Sequence, residues 1–293
     1  MPYSDAQKAV MGRWNIMAQT PGGDQPAWME IRQSGPQAVV GQFVGWHGSA
    51  RPISRVDLSE SGLRFTIPRQ YERGEGDLTL EGTLQGDQLS GTITTPDGKS
   101  VAWTGRRAPA LRRAATPTWG KPITLFNGVD ISGWHVIQGE NQWIVEQGIL
   151  RNLKPGGNIV TDQKFDDFQL HLEFRYAPGG NSGVYLRGRY EVQVLDGPTE
   201  EPDSHLQGGI YGFLTPSEIV TNGPGEWNSY DITLIGRQVT IVVNGITVIS
   251  KQAIPGTTGG ALDSDEGAAG PLMLQGDHTA IEYRNIVITP ALT

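Results

Sequence analysis

Phe168-Gln-Leu-His-Leu-Glu-Phe-Arg175 alternates apolar and polar residues without a break. A strand sends successive side chains to opposite faces, so Phe168, Leu170, Leu172 and Phe174 form one apolar face and Gln169, His171, Glu173 and Arg175 the other. The next two runs divide in the same way. Asn181-Ser-Gly-Val-Tyr-Leu-Arg187 turns Val184 and Leu186 inward and Asn181, Gly183, Tyr185 and Arg187 outward. Tyr190-Glu-Val-Gln-Val-Leu-Asp196 turns Val192 and Val194 inward, Glu191 and Gln193 outward, and ends at Asp196 before Gly197-Pro198. Sequential antiparallel strands are neighbours by default. On that default the three polar faces join into one concave surface of acids, amides and arginine, the kind of surface that binds sugars. The plain alternative is a solvated sheet face.

Outward from this stretch, strand signals run from Ile123 to the end, about ten strands in roughly 170 residues, which suits a sandwich of two antiparallel sheets. Asn244-Gly245 between alternating apolar arms predicts a type I′ hairpin, because both residues tolerate positive φ. Residues 12–107 read as an antiparallel meander, with Gly86-Asp87 and Pro96-Asp97-Gly98 as tight turns. Gly12-Arg-Trp14 and repeated Leu-x-Gly turns resemble small lipocalin-like barrels. Trp14, Trp28, Trp46 and Trp103 are candidates for a ligand mouth, against core packing as the more ordinary role. Arg106 to Trp119 carries two prolines and four arginines without strand alternation and reads as a solvated linker. The expected organisation is all-β: a small antiparallel barrel at 1–107, a linker at 108–120 and a two-sheet sandwich at 121–293.

Composition narrows the function. Of 293 residues, 40 are glycine and 19 proline, which favours short strands and turns over a helical bundle. Lys and Arg number 23 against 31 Asp and Glu, a net charge of −8 that offers no surplus to displace counterions from nucleic acid. Zero cysteines exclude disulfides, thiolate metal sites and a Cys nucleophile. No stretch approaches the apolar length of a membrane span, and the first residues lack a secretory apolar core. The glycine pairs match neither a phosphate-binding loop nor a dinucleotide fingerprint, so no nucleotide cofactor is expected. Asn181-Ser-Gly183 lacks the elbow of a serine hydrolase. His205 and His278 lie in loops beside acids, where they can act as bases or metal ligands, although no paired-ligand spacing accompanies them.

Leu125-Phe-Asn-Gly-Val-Asp-Ile-Ser-Gly-Trp134, Glu173-Phe-Arg175, Gly180 to Arg187, Tyr190 to Asp196, Gly209-Ile-Tyr211, Gly225-Glu-Trp-Asn228, Val243-Asn-Gly245, Pro271-Leu-Met-Leu-Gln275 with His278, and Arg284-Asn-Ile286 follow one another along the chain. In that order they resemble the 3-keto-disaccharide hydrolase family, also called 3-keto-glucoside lyase/hydratase, over about residues 123–290. The resemblance implies a concanavalin-A-like jelly roll and a sugar already oxidised at its third carbon by a separate oxidoreductase. It further implies cleavage by elimination, hydration of the resulting glycal, and a periplasmic or extracellular setting. Carried onto this chain, it implies catalytic roles for Glu191 or His205 as base and Arg187 as enolate partner, unless a divalent metal ion holds the enolate. It implies sugar contacts from Glu173, Asn181, Tyr185, Gln193, Glu226, Gln275 and His278, and a metal-ligand role for Asp196. Two readings compete: a conventional glucanase with paired carboxylates, and a carbohydrate-binding module without turnover. Glu191-Val-Gln193 places an amide where the glucanase would want its second acid.

Overall fold

The computed structural model describes residues 3–292. The chain divides into two compact units, one of residues 1–109 with 256–266 and one of residues 110–255 with 267–293.

The first unit opens with a helix that sequence alternation does not announce, α1 (Asp5–Val10). Its hydrogen bonding is reciprocal: the Ser4 hydroxyl accepts from Gln7 N while the Gln7 side chain accepts from Ser4 N, a capping box that satisfies two orphan donors. The strands are β1 (Gly12–Thr20), β2 (Gly23–Ser34), β3 (Ala38–Val44), β4 (Arg51–Ile53), β5 (Asp57–Leu58), β6 (Gly62–Ile67), β7 (Leu78–Gln85), β8 (Gln88–Thr94) and β9 (Ser100–Arg107). They pair antiparallel in the order β4-β3-β2-β1-β9-β8-β7-β6-β5, and the sheet curls until β4 lies against β6. Trp14, Trp28 and Trp103 are fully buried in this unit, as a packing role requires, and of the four only Trp46 is half-buried, in the bend after β3. Gly91 is required where strands cross closely, since a Cβ there would stand 1.9 Å from the Glu81 carbonyl oxygen.

The second unit holds β10 (Ile123–Thr124), β11 (Trp134–Ile137), β12 (Trp143–Glu146), β13 (Ile149–Asn152), β14 (Asn158–Phe165), β15 (Phe168–Arg175), β16 (Asn181–Leu186), β17 (Tyr190–Leu195), β18 (Asn228–Ile235), β19 (Gln238–Val243), β20 (Ile246–Ala253), β21 (Gly270–Leu274) and β22 (Ile281–Pro290). One sheet runs β12-β13-β22-β15-β18-β19-β20, with β10 also on β22, and the other runs β11-β14-β21-β16-β17. Their inner faces share one core, in which Phe168, Leu170, Leu172 and Phe174 meet Val184, Leu186, Val192 and Val194. This is the all-β two-sheet sandwich that the alternation predicts, and the jelly roll that the resemblance implies. The β19–β20 hairpin turns at Asn244 (φ 49°) and Gly245 (φ 83°), the two left-handed residues of the expected turn.

Two expectations change. β15 is not a neighbour of β16: it pairs with β18 and β22, while β16 pairs with β17 and β21. The connection after Arg175 therefore crosses from one sheet to the other, and the side-chain parity within each strand is right although the adjacency is not. The segment read as a solvated linker is also tied down within the second unit. Arg113 pairs with Asp166 and Asp167 at 2.9 and 2.7 Å, and the Leu111 carbonyl lies so close to Gly236 that a Cβ there would overlap it.

Candidate functional site

The five-stranded sheet turns one face to the core and carries on its second face a mixed row of polar and apolar side chains, most of them buried. Cross-strand partners share a face, so the register places His135, Val160, Met273, Tyr185 and Glu191 in one row across β11, β14, β21, β16 and β17. The adjacent row carries Gly183 opposite Gln193, with Gln275 joined to this row by the bond from its N to the Gly183 carbonyl. Asn181 lies two residues further along β16 on the same face, its N donating to the Thr279 hydroxyl.

Glu191 is the centre of this face. It is buried, its carboxyl lies over Gly183, where a Cβ would meet Oε1 at 2.3 Å, and it accepts the Tyr185 hydroxyl at 3.0 Å. Glycine at 183 is thus the clearance that lets the acid lie flat on the sheet. Burial raises the Glu191 pKa to about 8, with the Asp277 charge pushing in the same direction and the Tyr185 hydrogen bond and the His278 charge pulling against them. A pKa raised to about 8 favours the protonated carboxyl at neutral pH. Tyr185 is itself held far above its ordinary value by burial and by Glu191.

The rim comes from two loops. In the turn after β21, His278 Nδ1 lies 2.5 Å from Asp277 Oδ1, which raises the His278 pKa and leaves Nε2 for another partner. His278 and Glu191 each figure in the other's titration, so the two are within electrostatic reach. The loop after β17 runs back along its edge. Gln193 donates through Nε2 to the His205 carbonyl at 3.1 Å, and Tyr211 N donates to the Glu191 carbonyl. The His205 ring pairs with Asp203 and stands edge-on to Tyr211, centroids 5.0 Å apart. Gln275 Nε2 reaches the Tyr185 hydroxyl at 3.5 Å, while its buried Oε1 has no hydrogen-bond partner. An unsatisfied amide oxygen beside a buried acid is a ready acceptor for a ligand hydroxyl.

Seven sequence candidates therefore meet on one face: Glu191, Tyr185, Gln193, Asn181, Gln275, His205 and His278. Four do not. Glu173 lies on the outer face of the other sheet, where it pairs with Arg284, whose guanidinium covers the Trp227 ring at 3.9 Å. Arg187 is wholly buried against Asp166 at 3.1 Å, the Gly236 carbonyl and the Tyr190 ring. Its φ of 52° ends the extended backbone on which the parity argument depends and turns the side chain toward the core side. Asp196 Oδ2 accepts from Gly179 N at 2.8 Å and so closes the β15–β16 connection. Glu226 is exposed in the loop before β18. Among the described residues no cluster of three or more His, Asp or Glu could hold a metal ion, so the donor set around Asp196 does not fit the metal site the resemblance suggested. Tyr211 and Asp277 belong to the site although parity did not single them out. Tyr211 ends the Gly209-Ile-Tyr211 motif and Asp277 stands next to His278, and those placements are the signal the sequence offers.

The model of the 3-keto-alpha-glucoside-1,2-lyase-like domain matches residues 121–289, more than half of the chain. The chain belongs to this family. A curated 3-keto-disaccharide hydrolase of Bacteroides thetaiotaomicron is 28% identical over 149 residues, 38% of this chain and 51% of that protein. The chain thus spans about half the length of the curated relative it matches. The crystal structure of a "putative glycosyl hydrolase" from Parabacteroides distasonis is 33% identical, with a TM-score of 0.51, and covers 62% of this chain and 93% of its own. The matched region contains every residue of the face described above.

Proposed function

We propose that the chain cleaves 3-keto-glycosides by elimination and hydration, with Glu191 and the His278–Asp277 pair as its acid and base. The observation that carries this reading is the buried Glu191 carboxyl, its pKa raised to about 8, on a sheet face whose rim carries an aspartate-backed histidine within electrostatic reach. A carboxyl kept neutral at pH 7 can donate a proton, and a histidine oriented by a carboxylate can accept one.

A ketone at carbon three acidifies the hydrogen on carbon two. His278 Nε2 removes that proton, the electrons form the enolate, and the glycosidic oxygen, beta to the carbonyl, leaves from carbon one as Glu191 gives it a proton. The products are the free aglycone and an unsaturated keto sugar. Water then adds to carbon one while the Glu191 carboxylate takes its proton, and His278 returns a proton to carbon two. Both groups end as they began, and the sum is hydrolysis. Gln275 and the Tyr211 hydroxyl position the ketone and its neighbouring hydroxyls. The resemblance implies Glu191 or His205 as the base and a positioning role for His278. The raised Glu191 pKa supports exchanging the parts, and the place of Arg187 supports removing it from the enolate. No metal enters any step. The substrate requires a separate oxidoreductase to oxidise carbon three, and a periplasmic or extracellular site of action suits such a sugar.

Turnover of a 3-keto-glucoside in deuterium oxide tests the reading. Deuterium at carbon two of the released sugar, lost together with activity in Glu191→Gln, is expected. Cleavage of the unoxidised glucoside, or product without deuterium, refutes elimination and returns the site to conventional hydrolysis. Saccharide binding without turnover makes it a binding module.

A further inference from the structure

The first unit has a cavity of about 700 Å³ at one end of its curled sheet, where the β1–β2, β3–β4, β6–β7 and β8–β9 connections converge. Its core is filled by side chains, so the opening is a mouth above a packed interior. Small-molecule sites occupy this size range and favour barrel mouths.

We propose that this mouth is a saccharide-binding site that takes a neutral pyranose ring on Trp46. Trp46 is the one candidate mouth tryptophan that is not fully buried: it packs against the core and stays half-buried on the cavity wall. Beside it the His47 and Tyr71 rings meet edge to face with centroids 5.6 Å apart, which fixes both against the wall. An aromatic wall matches the C–H face of a sugar ring. The polar groups match its hydroxyl edge. Glu72 is held by a two-pronged pair with Arg51, at 2.6 and 3.2 Å, so its carboxylate is fixed before any ligand arrives. Asp97 is held from two sides, by the Thr95 hydroxyl at 2.6 Å and Lys99 Nζ at 2.7 Å. Glu72 and Asp97 already sit in ion pairs, and with Arg73 and Lys99 on the same wall the lining holds two acids and two bases, so it offers acceptors and donors but no net charge to attract an ion. That balance selects a neutral polyol over a phosphate, a uronic acid or an amine. The site rests on residues of the first unit alone and does not depend on the chemistry proposed for Glu191.

Isothermal titration of the full chain with cellobiose and with maltose, using glucuronic acid and phenol as contrasts, tests the proposal. Glu191→Gln serves as a background that prevents turnover, and Trp46→Ala is compared with it singly and in combination. A neutral disaccharide is expected to bind in the Glu191→Gln background, and Trp46→Ala to weaken that binding by about tenfold or more, as loss of one aromatic face implies. Trp46→Ala alone should leave turnover of a small 3-keto-glucoside unchanged. Asp97→Asn, in an exposed turn, is the second variant should Trp46→Ala fail to fold, and a weaker disaccharide affinity is expected from it too. No saccharide binding, binding indifferent to both substitutions, or preferential binding of phenol or glucuronic acid overturns the proposal. None of these results bears on Glu191, whose failure is read instead from the deuterium experiment.

Discussion

Replacing Glu191 by glutamine should make the protein more stable, by an amount that grows with pH. In the unfolded chain the carboxyl ionises near its ordinary 4.5, and in the folded chain near 8. Between these values the folded state holds a proton that the unfolded state has lost, so stability falls as pH rises. The fall is complete above the folded pKa and absent below the unfolded one. At about 1.4 kcal/mol per pH unit, this one group costs about 3 kcal/mol at pH 7 and about 5 kcal/mol above pH 9, as upper figures for a fully buried acid. Glutamine does not titrate in either state, and its amide oxygen can still accept the Tyr185 hydroxyl. The Glu191→Gln protein should therefore match the parent near pH 4, apart from a constant offset, and gain steadily up to pH 9. Urea unfolding at several pH values measures this, with an unchanged denaturant slope showing that the compared states are the same. A difference that stays flat from pH 5 to 9 would show that Glu191 is ionised in the folded protein. It would then be a base at neutral pH, and the assignment of acid and base above would be wrong.

Other predictions concern neighbouring groups. Asp277→Asn removes the largest cause of the raised His278 pKa, so the acidic limb of the kcat/KM profile should move to lower pH and activity should fall about 10–100-fold, as for loss of an orienting carboxylate. Tyr185→Phe removes a hydrogen bond that favours the charged form of Glu191, and should move the basic limb to higher pH, read from the same profile. Arg187→Met should lose about 3 kcal/mol in urea unfolding through its broken buried contacts, while activity per folded molecule stays within a few-fold of the parent. A collapse of activity in a folded Arg187→Met protein would restore the arginine to the site. Gly91→Ala should prevent or severely weaken folding of the first unit, measured as loss of its thermal transition, because its Cβ has only backbone to displace.

What the sequence disclosed was local, and what it withheld depended on how strands are shared between sheets. Alternation told which residues of β15, β16 and β17 face the core, because burial imposes a period of two wherever the backbone is extended. It could not tell that the chain crosses the sandwich between Arg175 and Asn181, since a five-residue connection serves a hairpin and a sheet-to-sheet crossing equally well. Glu173 was misplaced for that reason alone: its face was read correctly, but on the wrong sheet. Arg187 was misplaced for a different reason, a left-handed residue at a strand end that reverses the side chain, and nothing in its residue type marks it. Glu191 survived because two constraints coincide there. Its neighbours fix its face, and the glycine opposite Gln193 clears the surface on which its carboxyl lies. A buried acid over a glycine is a feature packing alone would not retain, since burial of an ionisable carboxyl destabilises the fold at neutral pH. The pairing of that cost with a chemistry that needs a neutral acid is the physical reason to place function at Glu191, and it ties the stability measurement and the deuterium measurement to one residue.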